Sequence, residues 1–325
     1  MAVSSGRFVS PCFVHLGAIW FLALLFSTGG CTAPRAEPVL PSVSAGKNAL
    51  PLFAWEICAA DLPGRVTLLG SVHFLRGGEL RLDPALESAF EAADRLVVEI
   101  DLLSIRPEEQ QRLVQRYAML PPGETLEQRL PPETVQRLRE ALTKHGVAFT
   151  AVQSMKPWMA ALVLTELEFK RIGLDPELGV DRYFLRRAQG RKPVVSLETL
   201  ELQLSLLDGL TPKLQELVLL DVLAQSDKRL AEVEEMLAAW KNGDPDALNK
   251  AVFRALEEHP EFAPFYERTF FERNRSMAER IEKFLAQGGR WFVIVGAGHL
   301  VGEKGVLALL KQRGYLLNQL QIYGE

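Results

Sequence analysis

The chain has 325 residues and a formal net charge of −4, with 48% hydrophobic and 24% charged residues. This is the composition of an ordinary globular protein, and the length suffices for one large domain. The sequence contains no block of basic residues, so we expect no nucleic-acid partner.

The N-terminus has the layout of an export signal. Arg7 precedes an apolar stretch at residues 13–26, and residues 27–30 are small and lead directly into Cys31. The apolar stretch is short for a membrane-spanning helix. Small residues before a cysteine resemble a bacterial lipobox, so we predict a signal peptide over residues 1–31 and lipidation of Cys31. The alternatives are an uncleaved anchor and ordinary signal-peptide cleavage.

A second N-terminal segment separates this leader from the body of the chain. Residues 32–51 are rich in Pro, Ala and Ser, which is typical of a flexible tether. Only Cys58 lies in the predicted domain at residues 52–325, so that domain has no disulfide framework. We therefore expect an exported protein of the cell envelope, anchored by lipid to a bacterial membrane.

The first half of the body predicts alternating strands and helices. Two apolar runs at residues 53–59 and 65–69 predict a hairpin across a turn at residues 61–64. Asp83 and Pro84 are typical of a helix start, and a strand follows at residues 96–98. The other predicted elements are helices at residues 107–117, 132–145, 156–172 and 178–189 and strands at residues 147–152 and 192–197.

The second half is mainly helical. From residue 200 to residue 285, apolar residues recur at helical spacing, with breaks at residues 209, 243–245 and 259–260. The tail predicts strands at residues 291–295 and 315–323 around a helix at residues 304–313. We expect the first and last strands to share a sheet. The predicted fold is α/β, with a central mostly parallel sheet, flanking helices and a large helical insertion between the N- and C-terminal strands.

The string Gly-x-x-His occurs twice and is the strongest functional signal. One copy runs from Gly70 to His73 and the other from Gly296 to His299, and each follows a short apolar run. Such runs predict buried strands, so each histidine is expected in the first loop after a strand, where α/β sheets bind ligands. A glycine at the turn allows the backbone to approach a ligand closely. The alternative is that both histidines are turn residues that cap strands.

Two glutamates have the same position relative to predicted strands. Glu99 and Glu198 each follow an apolar run, so four ionisable residues converge on one sheet edge if these strands are parallel neighbours. Imidazole nitrogens and carboxylate oxygens are ligands for a divalent metal, and a metal-bound water with a second carboxylate as base would support hydrolysis. We assign His73, His299 and Glu99 as candidate metal ligands, and Glu99 and Glu198 as catalytic candidates. The alternative for each glutamate is a surface charge that ends a strand.

A dense polar string at residues 272–275 adds two arginine candidates. Such a run is usually a solvated helix face. Arg273 and Arg275 lie on different faces of the predicted helix, so one can turn inward and hold a carboxylate through its planar guanidinium.

Together these residues resemble the TraB/GumN family, which includes the Tiki metalloproteases. The resemblance covers about residues 52–323, and the paired Gly-x-x-His is the family's hallmark. Further matches are Lys156-Pro157-Trp158, Gly179-Val180-Asp181, Leu197-Glu198-Thr199 and Glu272-Arg273-Asn274-Arg275. The resemblance implies a metal-dependent peptidase whose active centre contains His73, a glutamate and His299, with manganese or cobalt favoured and zinc also compatible. More distant relatives resemble erythromycin esterases.

Three functions are consistent with these features. The first is a membrane-tethered, metal-dependent hydrolase that cleaves a peptide or protein substrate. The second is a non-hydrolytic protein that binds a peptide or cofactor, and the third is a metal-free esterase with a histidine as general base. Metal content separates the first from the third, and turnover separates the first from the second.

Overall fold

A computed structural model describes residues 50–80, 82–224 and 226–322. The predicted signal peptide, Cys31 and nearly all of the predicted tether lie outside these ranges. The strands are β1 (Leu50–Cys58), β2 (Arg65–Ser71), β3 (Arg95–Val98), β4 (Val194–Ser196), β5 (Arg290–Gly296) and β6 (Leu316–Ile322).

The described ranges contain fourteen α-helices. They are α1 (Pro84–Ala92), α2 (Pro107–Tyr117), α3 (Leu126–Arg129), α4 (Pro132–Lys144), α5 (Pro157–Arg171), α6 (Val180–Ala188), α7 (Leu200–Asp208), α8 (Pro212–Leu223), α9 (Ser226–Lys241), α10 (Pro245–Glu258), α11 (Ala263–Tyr266), α12 (Glu272–Gln287), α13 (Ala297–Leu300) and α14 (Val306–Gln312). Of these, α3 and α13 were not expected from the sequence. Within the described ranges, no helix combines the length and the apolar character that a membrane span requires.

The six strands form one mixed sheet with the order β4-β3-β5-β2-β1-β6. Strands β4, β3, β5 and β2 are parallel neighbours, and β1 is antiparallel to both β2 and β6. The fold is therefore α/β, as predicted, and the hairpin and the shared sheet of first and last strands are confirmed. Because the four parallel strands all point the same way, their carboxyl ends lie along one edge.

Helices cover both faces of the parallel part of the sheet. Phe292 of β5 packs against Phe184 of α6, with ring centroids 4.9 Å apart. Its neighbour Trp291 points to the opposite face and stacks on Phe284 of α12 at 4.4 Å. Burial on both faces explains why this strand is continuously apolar, as is usual for parallel sheets. Helix α6 therefore lies over one face of the sheet and α12 over the other.

Three local predictions need correction. The apolar run at residues 147–152 is not a strand, because its centre forms a 3₁₀ turn (Phe149–Ala151) in which Phe149 is buried under the guanidinium of Arg139, 3.8 Å from the ring centroid. Short apolar runs do not distinguish a strand from a buried turn. Leu50 and Pro51, which the sequence pattern places in the tether, pair with β6. His299 lies in the single turn of α13, whereas a loop was predicted.

Candidate active site

The carboxyl edge of the parallel strands brings together the two motif histidines and the two predicted glutamates. His73, Glu99 and Glu198 follow β2, β3 and β4, and His299 lies in α13 directly after β5. Gly296 lies between them, since a Cβ atom built there would be 3.3 Å from Glu99 Oε1 and 3.5 Å from His73 Nε2. The two histidines and Glu198 are buried, and Glu99 is largely so. Parallel neighbours thus produce the convergence that the sequence suggested.

Arg273 of α12 lies at the centre of this cluster and connects its members. Its Nε donates to both carboxylate oxygens of Glu198, at 2.8 and 3.0 Å. Its Nη2 connects the two glutamates, because it donates to Glu198 Oε2 at 2.6 Å and to Glu99 Oε2 at 2.7 Å. Its Nη1 donates to the carbonyl of Thr269 at 3.1 Å and contacts His299 Nε2 at 2.8 Å. A guanidinium has five N–H groups, so these contacts engage every donor that Arg273 has.

The charge of Arg273 is stabilised by the two carboxylates. Burial by itself lowers the pKa of the guanidinium, but the charges of Glu198 and Glu99 and their hydrogen bonds raise that pKa above its ordinary value. A buried ion cluster of this kind is stable only while its charges remain paired. Arg273 is therefore a fixed cation that holds both glutamates in place.

Arg275 takes no part in the cluster. It lies two residues beyond Arg273, which places it on another side of α12, and its half-exposed side chain pairs with Glu267 at 2.9 Å. The structure thus brings one of the two predicted arginines into the site and leaves Arg275 outside. Asn274, which follows Arg273, is also buried, so Arg273 and Asn274 are the first residues of the buried face of α12.

His73 is held by a carboxylate. Its Nδ1 lies 3.0 Å from Oδ1 of Asp181, in the first turn of α6. The backbone fixes this contact, because Val180 N–H donates to the carbonyl of Val72 at 3.0 Å and Gly179 lies against the carbonyl of His73, where a Cβ would come within 2.6 Å. A carboxylate only accepts hydrogen bonds, so Nδ1 carries the proton and Nε2 presents its lone pair.

Asp181 also determines the charge preference of His73. Burial lowers the pKa of the imidazole, but the charge of Asp181, the hydrogen bond to it and the charge of Glu99 together raise that pKa above the ordinary value. Burial raises the pKa of Asp181, but the charge of the His73 imidazolium and the hydrogen bond to His73 lower it, so that the pKa of Asp181 lies below its ordinary value. His73 is therefore a base that accepts a proton readily.

His299 has neutral and cationic neighbours. Its Nδ1 lies 2.6 Å from Asn274 Oδ1, and the amide of Asn274 is oriented by its own bond from Nδ2 to the carbonyl of Lys304 at 2.9 Å. Nδ1 is therefore the donor, and Nε2 accepts from Arg273. Burial, and then the charge of Arg273, lower the pKa of His299 well below its ordinary value. At neutral pH this imidazole is uncharged.

The two glutamates differ in exposure and partners. Both oxygens of Glu198 contact Arg273, and Oε2 also accepts from Gln203 Nε2 at 2.9 Å. Glu99 accepts from the backbone N–H of Gly296 at 2.6 Å through Oε1. A small pocket opens beside Glu99, and Glu198 is not among the residues that line it. The pocket is lined by Ser71, His73, Val98, Glu99, Ile100, Asp181, Gln203, Ile294 and Val295.

Comparison with known proteins identifies the family of the chain. The sequence profile of the TraB/PrgY/gumN family matches residues 53–319. The chain belongs to this family. It is 28% identical over 264 residues to the uncharacterized protein YbaP of Escherichia coli strain K12, an alignment that covers 80% of this chain and 93% of YbaP. The family resemblance inferred from the sequence motifs is thereby confirmed.

Two further similar proteins show how far the likeness extends. An uncharacterized protein of Treponema pallidum strain Nichols is 23% identical over 314 residues, which is 92% of each chain. A protein of Amphimedon queenslandica named Metalloprotease TIKI homolog is 37% identical over 54 residues, which is 16% of this chain and 11% of that protein. No solved structure matches the chain.

The metal that the family resemblance implies does not fit the cluster in this arrangement. Both histidines have Nδ1 held by a partner, which is typical of metal ligands. The lone pair of His299 Nε2, however, already accepts from the guanidinium of Arg273 at 2.8 Å. In addition, the described part of the chain contains no group of three or more His, Cys, Asp or Glu side chains arranged to hold an ion.

The two motif glycines have different roles. A Cβ at Gly70 would lie 2.5 Å from the ring of Phe53, and the carbonyl of Gly70 accepts from Trp240 Nε1 at 2.8 Å. Gly70 thus makes room for the core. A Cβ at Gly296 would touch Glu99, His73 and His299, so Gly296 makes room for the site.

Sequence reasoning missed several residues that hold the site in place. Asp181 and Asn274 orient the two histidines, Gln203 supports the carboxylates, and Thr269 supplies a carbonyl from an irregular, wide helical turn at Glu267–Phe271. Asp181 and Asn274 occur in strings that match the family, and that signal could have identified them. Gln203 and Thr269 carry no such signal.

Proposed function

We propose that this protein is a hydrolase in which His73 removes a proton from the attacking water. The observation that carries the proposal is the buried pair of His73 and Asp181, in which Asp181 holds Nδ1 and His73 lines a small pocket. A histidine oriented by a carboxylate is a general base in many hydrolases, because the carboxylate fixes the tautomer and stabilises the imidazolium.

The proton balance can be written with this chain's own residues. Nε2 of His73 takes a proton from water as the water oxygen adds to the substrate carbonyl, and the imidazolium is stabilised by Asp181. Collapse of the tetrahedral adduct returns the proton from Nε2 to the leaving group. Arg273 has no N–H left for a substrate, so in this mechanism it holds Glu99 and Glu198 in place.

A peptide or protein is the proposed substrate. The support is the partial similarity to a relative whose name includes metalloprotease, together with a site able to activate water. The same base would also attack an ester, so both substrate classes belong in the assay. Peptide binding without turnover is the competing function.

A metal-dependent form of this reaction remains a prediction from the family resemblance, with manganese, cobalt or zinc as the candidate ion. It requires Arg273 to leave His299, because His299 Nε2 has one lone pair. Elemental analysis of the purified protein separates the two mechanisms. We expect substoichiometric metal and activity that survives chelation, whereas one bound ion per chain and loss of activity with a chelator would contradict the proposed base mechanism.

The central experiment compares His73→Ala with a matched control on the outside of the cluster. Turnover of a quenched-fluorescent peptide library and of nitrophenyl esters is measured for the wild type, His73→Ala and Arg275→Ala. Loss of a general base lowers the rate by about 10²–10⁴-fold. We expect that loss for His73→Ala and no change for Arg275→Ala. Equal rates for all three proteins would contradict the assignment of the base, and absence of turnover in the wild type would favour a binding protein.

We also propose export and lipid anchoring through Cys31, on the sequence pattern alone. Bacterial lipoprotein modification attaches several acyl chains, which suffices for stable anchoring. Mass spectrometry of the mature N-terminus tests this, with Cys31→Ser as the comparison. A lipid-modified Cys31 as first residue is expected, and an unmodified N-terminus at another residue would contradict the proposal.

A further inference from the structure

Ser71 is a buried hydroxyl that the proposed mechanism has not yet used. Its side chain is fully buried, and no described residue offers Oγ a hydrogen-bond partner. The other polar side chains of the cluster contrast with it, since Arg273, Glu99 and Glu198 are all paired. Buried hydroxyls without a partner are unfavourable and uncommon, so Ser71 calls for a water or a ligand atom.

The position of Ser71 directs this hydroxyl toward the pocket. Ser71 ends β2, two residues before His73, and is in parallel register with Gly296 of β5. Side chains alternate along a strand, so Ser71 points to the face opposite to Gly70, whose Cβ position faces the core at Phe53. Ser71 accordingly lines the same pocket as His73.

We propose that Ser71 Oγ binds the attacking water and holds it against Nε2 of His73. This inference rests on the proposed hydrolase function. The serine hydroxyl donates to the water oxygen, and the water donates to His73 Nε2, so one water connects the unpartnered Oγ of Ser71 with the imidazole nitrogen that Asp181 does not hold. Buried waters typically make two to four such bonds.

In the reaction, the water O–H bond breaks, its proton passes to Nε2, and the water oxygen forms the new bond to the carbonyl carbon. Ser71 forms no covalent bond and keeps its proton. A nucleophilic serine is activated by a base within hydrogen-bond reach, and Oγ makes no hydrogen bond to Nε2 in this structure, so we assign Ser71 to the water. A bridging water gives both Ser71 Oγ and His73 Nε2 a hydrogen-bond partner.

Kinetics and crystallography of Ser71→Ala test the proposal, with Ser205→Ala as the matched control. Ser205 Oγ donates to the carbonyl of Leu202 in α7 and does not line the pocket. The control substitution therefore removes the same hydroxyl group at a position outside the pocket. Loss of one hydrogen bond to a reacting group lowers a rate by about tenfold. We expect kcat to fall about tenfold for Ser71→Ala with little change in KM or Tm, and no change for Ser205→Ala. High-resolution crystals of the wild type should contain a water within hydrogen-bond distance of both Oγ and Nε2.

The outcomes separate this inference from the function on which it rests. Unchanged kcat in Ser71→Ala, while His73→Ala is inactive, would overturn the role of Ser71 alone. Wild-type crystals in which Oγ bonds to a protein atom would also overturn it. An acyl group on Ser71, detected by mass spectrometry during turnover, would replace it with covalent catalysis. Absence of turnover in the wild type would overturn the proposed function itself.

Discussion

The two Gly-x-x-His motifs have the same sequence pattern and follow neighbouring parallel strands, yet they place their histidines in opposite electrostatic surroundings. His73 faces the carboxylate of Asp181, which raises its pKa, although burial opposes this. His299 faces the amide of Asn274 and the guanidinium of Arg273, and burial together with that cation lowers its pKa. The comparison shows that the partners on α6 and α12 decide the chemistry of each histidine, and that the motif decides only where it lies.

Removal of Arg273 should have the largest effect on the surroundings of His299 and of the two glutamates. Arg273→Met leaves Glu99 and Glu198 buried without their counter-ion, and loss of one partner of a buried ion pair costs about 3–5 kcal/mol. We expect the free energy of unfolding, measured by urea titration, to fall by about this amount. Arg275→Met, whose exposed pair with Glu267 lies outside the cluster, should change it by less than about 1 kcal/mol. Similar losses in both variants would contradict the central role of Arg273.

Asp181→Asn should remove what distinguishes His73 from His299. The amide cannot stabilise the imidazolium, so kcat should fall by about 10²–10⁴-fold. The pKa of His73 should fall as well, because the carboxylate that raises it is gone. The base must be deprotonated to act, so the acidic limb of the profile of kcat/KM against pH should move to lower pH. A profile that keeps its position would argue that His73 is not the base.

Asn274→Asp is the reverse exchange and should make His299 resemble His73. A carboxylate against Nδ1 favours the imidazolium, so the pKa of His299 should rise, although burial and Arg273 continue to lower it. The sign for stability follows from linkage. In the wild type the native state disfavours protonation of His299, whereas the unfolded state binds that proton below about pH 6.5. The free energy of unfolding therefore decreases as the pH falls below about 6.5. That loss should be smaller in Asn274→Asp, as followed by thermal unfolding at pH 7 and pH 5, and equal losses would count against the assigned partners.

The motif glycines should give the most selective effects. In Gly70→Ala the new methyl group meets the ring of Phe53, so we expect a loss of about 1–3 kcal/mol in stability from overpacking, with kcat retained. In Gly296→Ala the new methyl group meets the side chains of Glu99, His73 and His299 at 3.3–3.6 Å. We therefore expect a lower kcat and a smaller change in Tm than in Gly70→Ala. Equal effects of the two changes on both quantities would argue against separate roles.

Much of the fold followed from local patterns. Glycine-terminated apolar runs marked β2 and β5, and Pro at the first helical position marked α2 and α5. The convergence of His73, Glu99, Glu198 and His299 was also predictable, because parallel strands end at one edge. The run at residues 147–152 was not, since its conformation depends on a tertiary contact with Arg139.

The orientation of the site was harder to predict than its location. Asp181 reaches His73 only because α6 packs over the sheet, and that contact joins residues far apart in the chain. Arg273 and Arg275 have the same side chain, but Arg273 lies on the buried face of α12 opposite Glu99 and Glu198, whereas Arg275 lies outside that face and pairs with Glu267. Long-range pairing of charges therefore accounts for most of what the sequence left open.

The most direct test of this account is a proton NMR titration of the two motif histidines in the wild-type protein. His73→Gln and His299→Gln assign the imidazole resonances, and the titration yields both pKa values. We expect the pKa of His73 above the ordinary 6.5 and that of His299 well below it. Equal values for the two histidines, or values in the reverse order, would contradict the assignment of His73 as the base and of His299 as the neutral partner of Arg273.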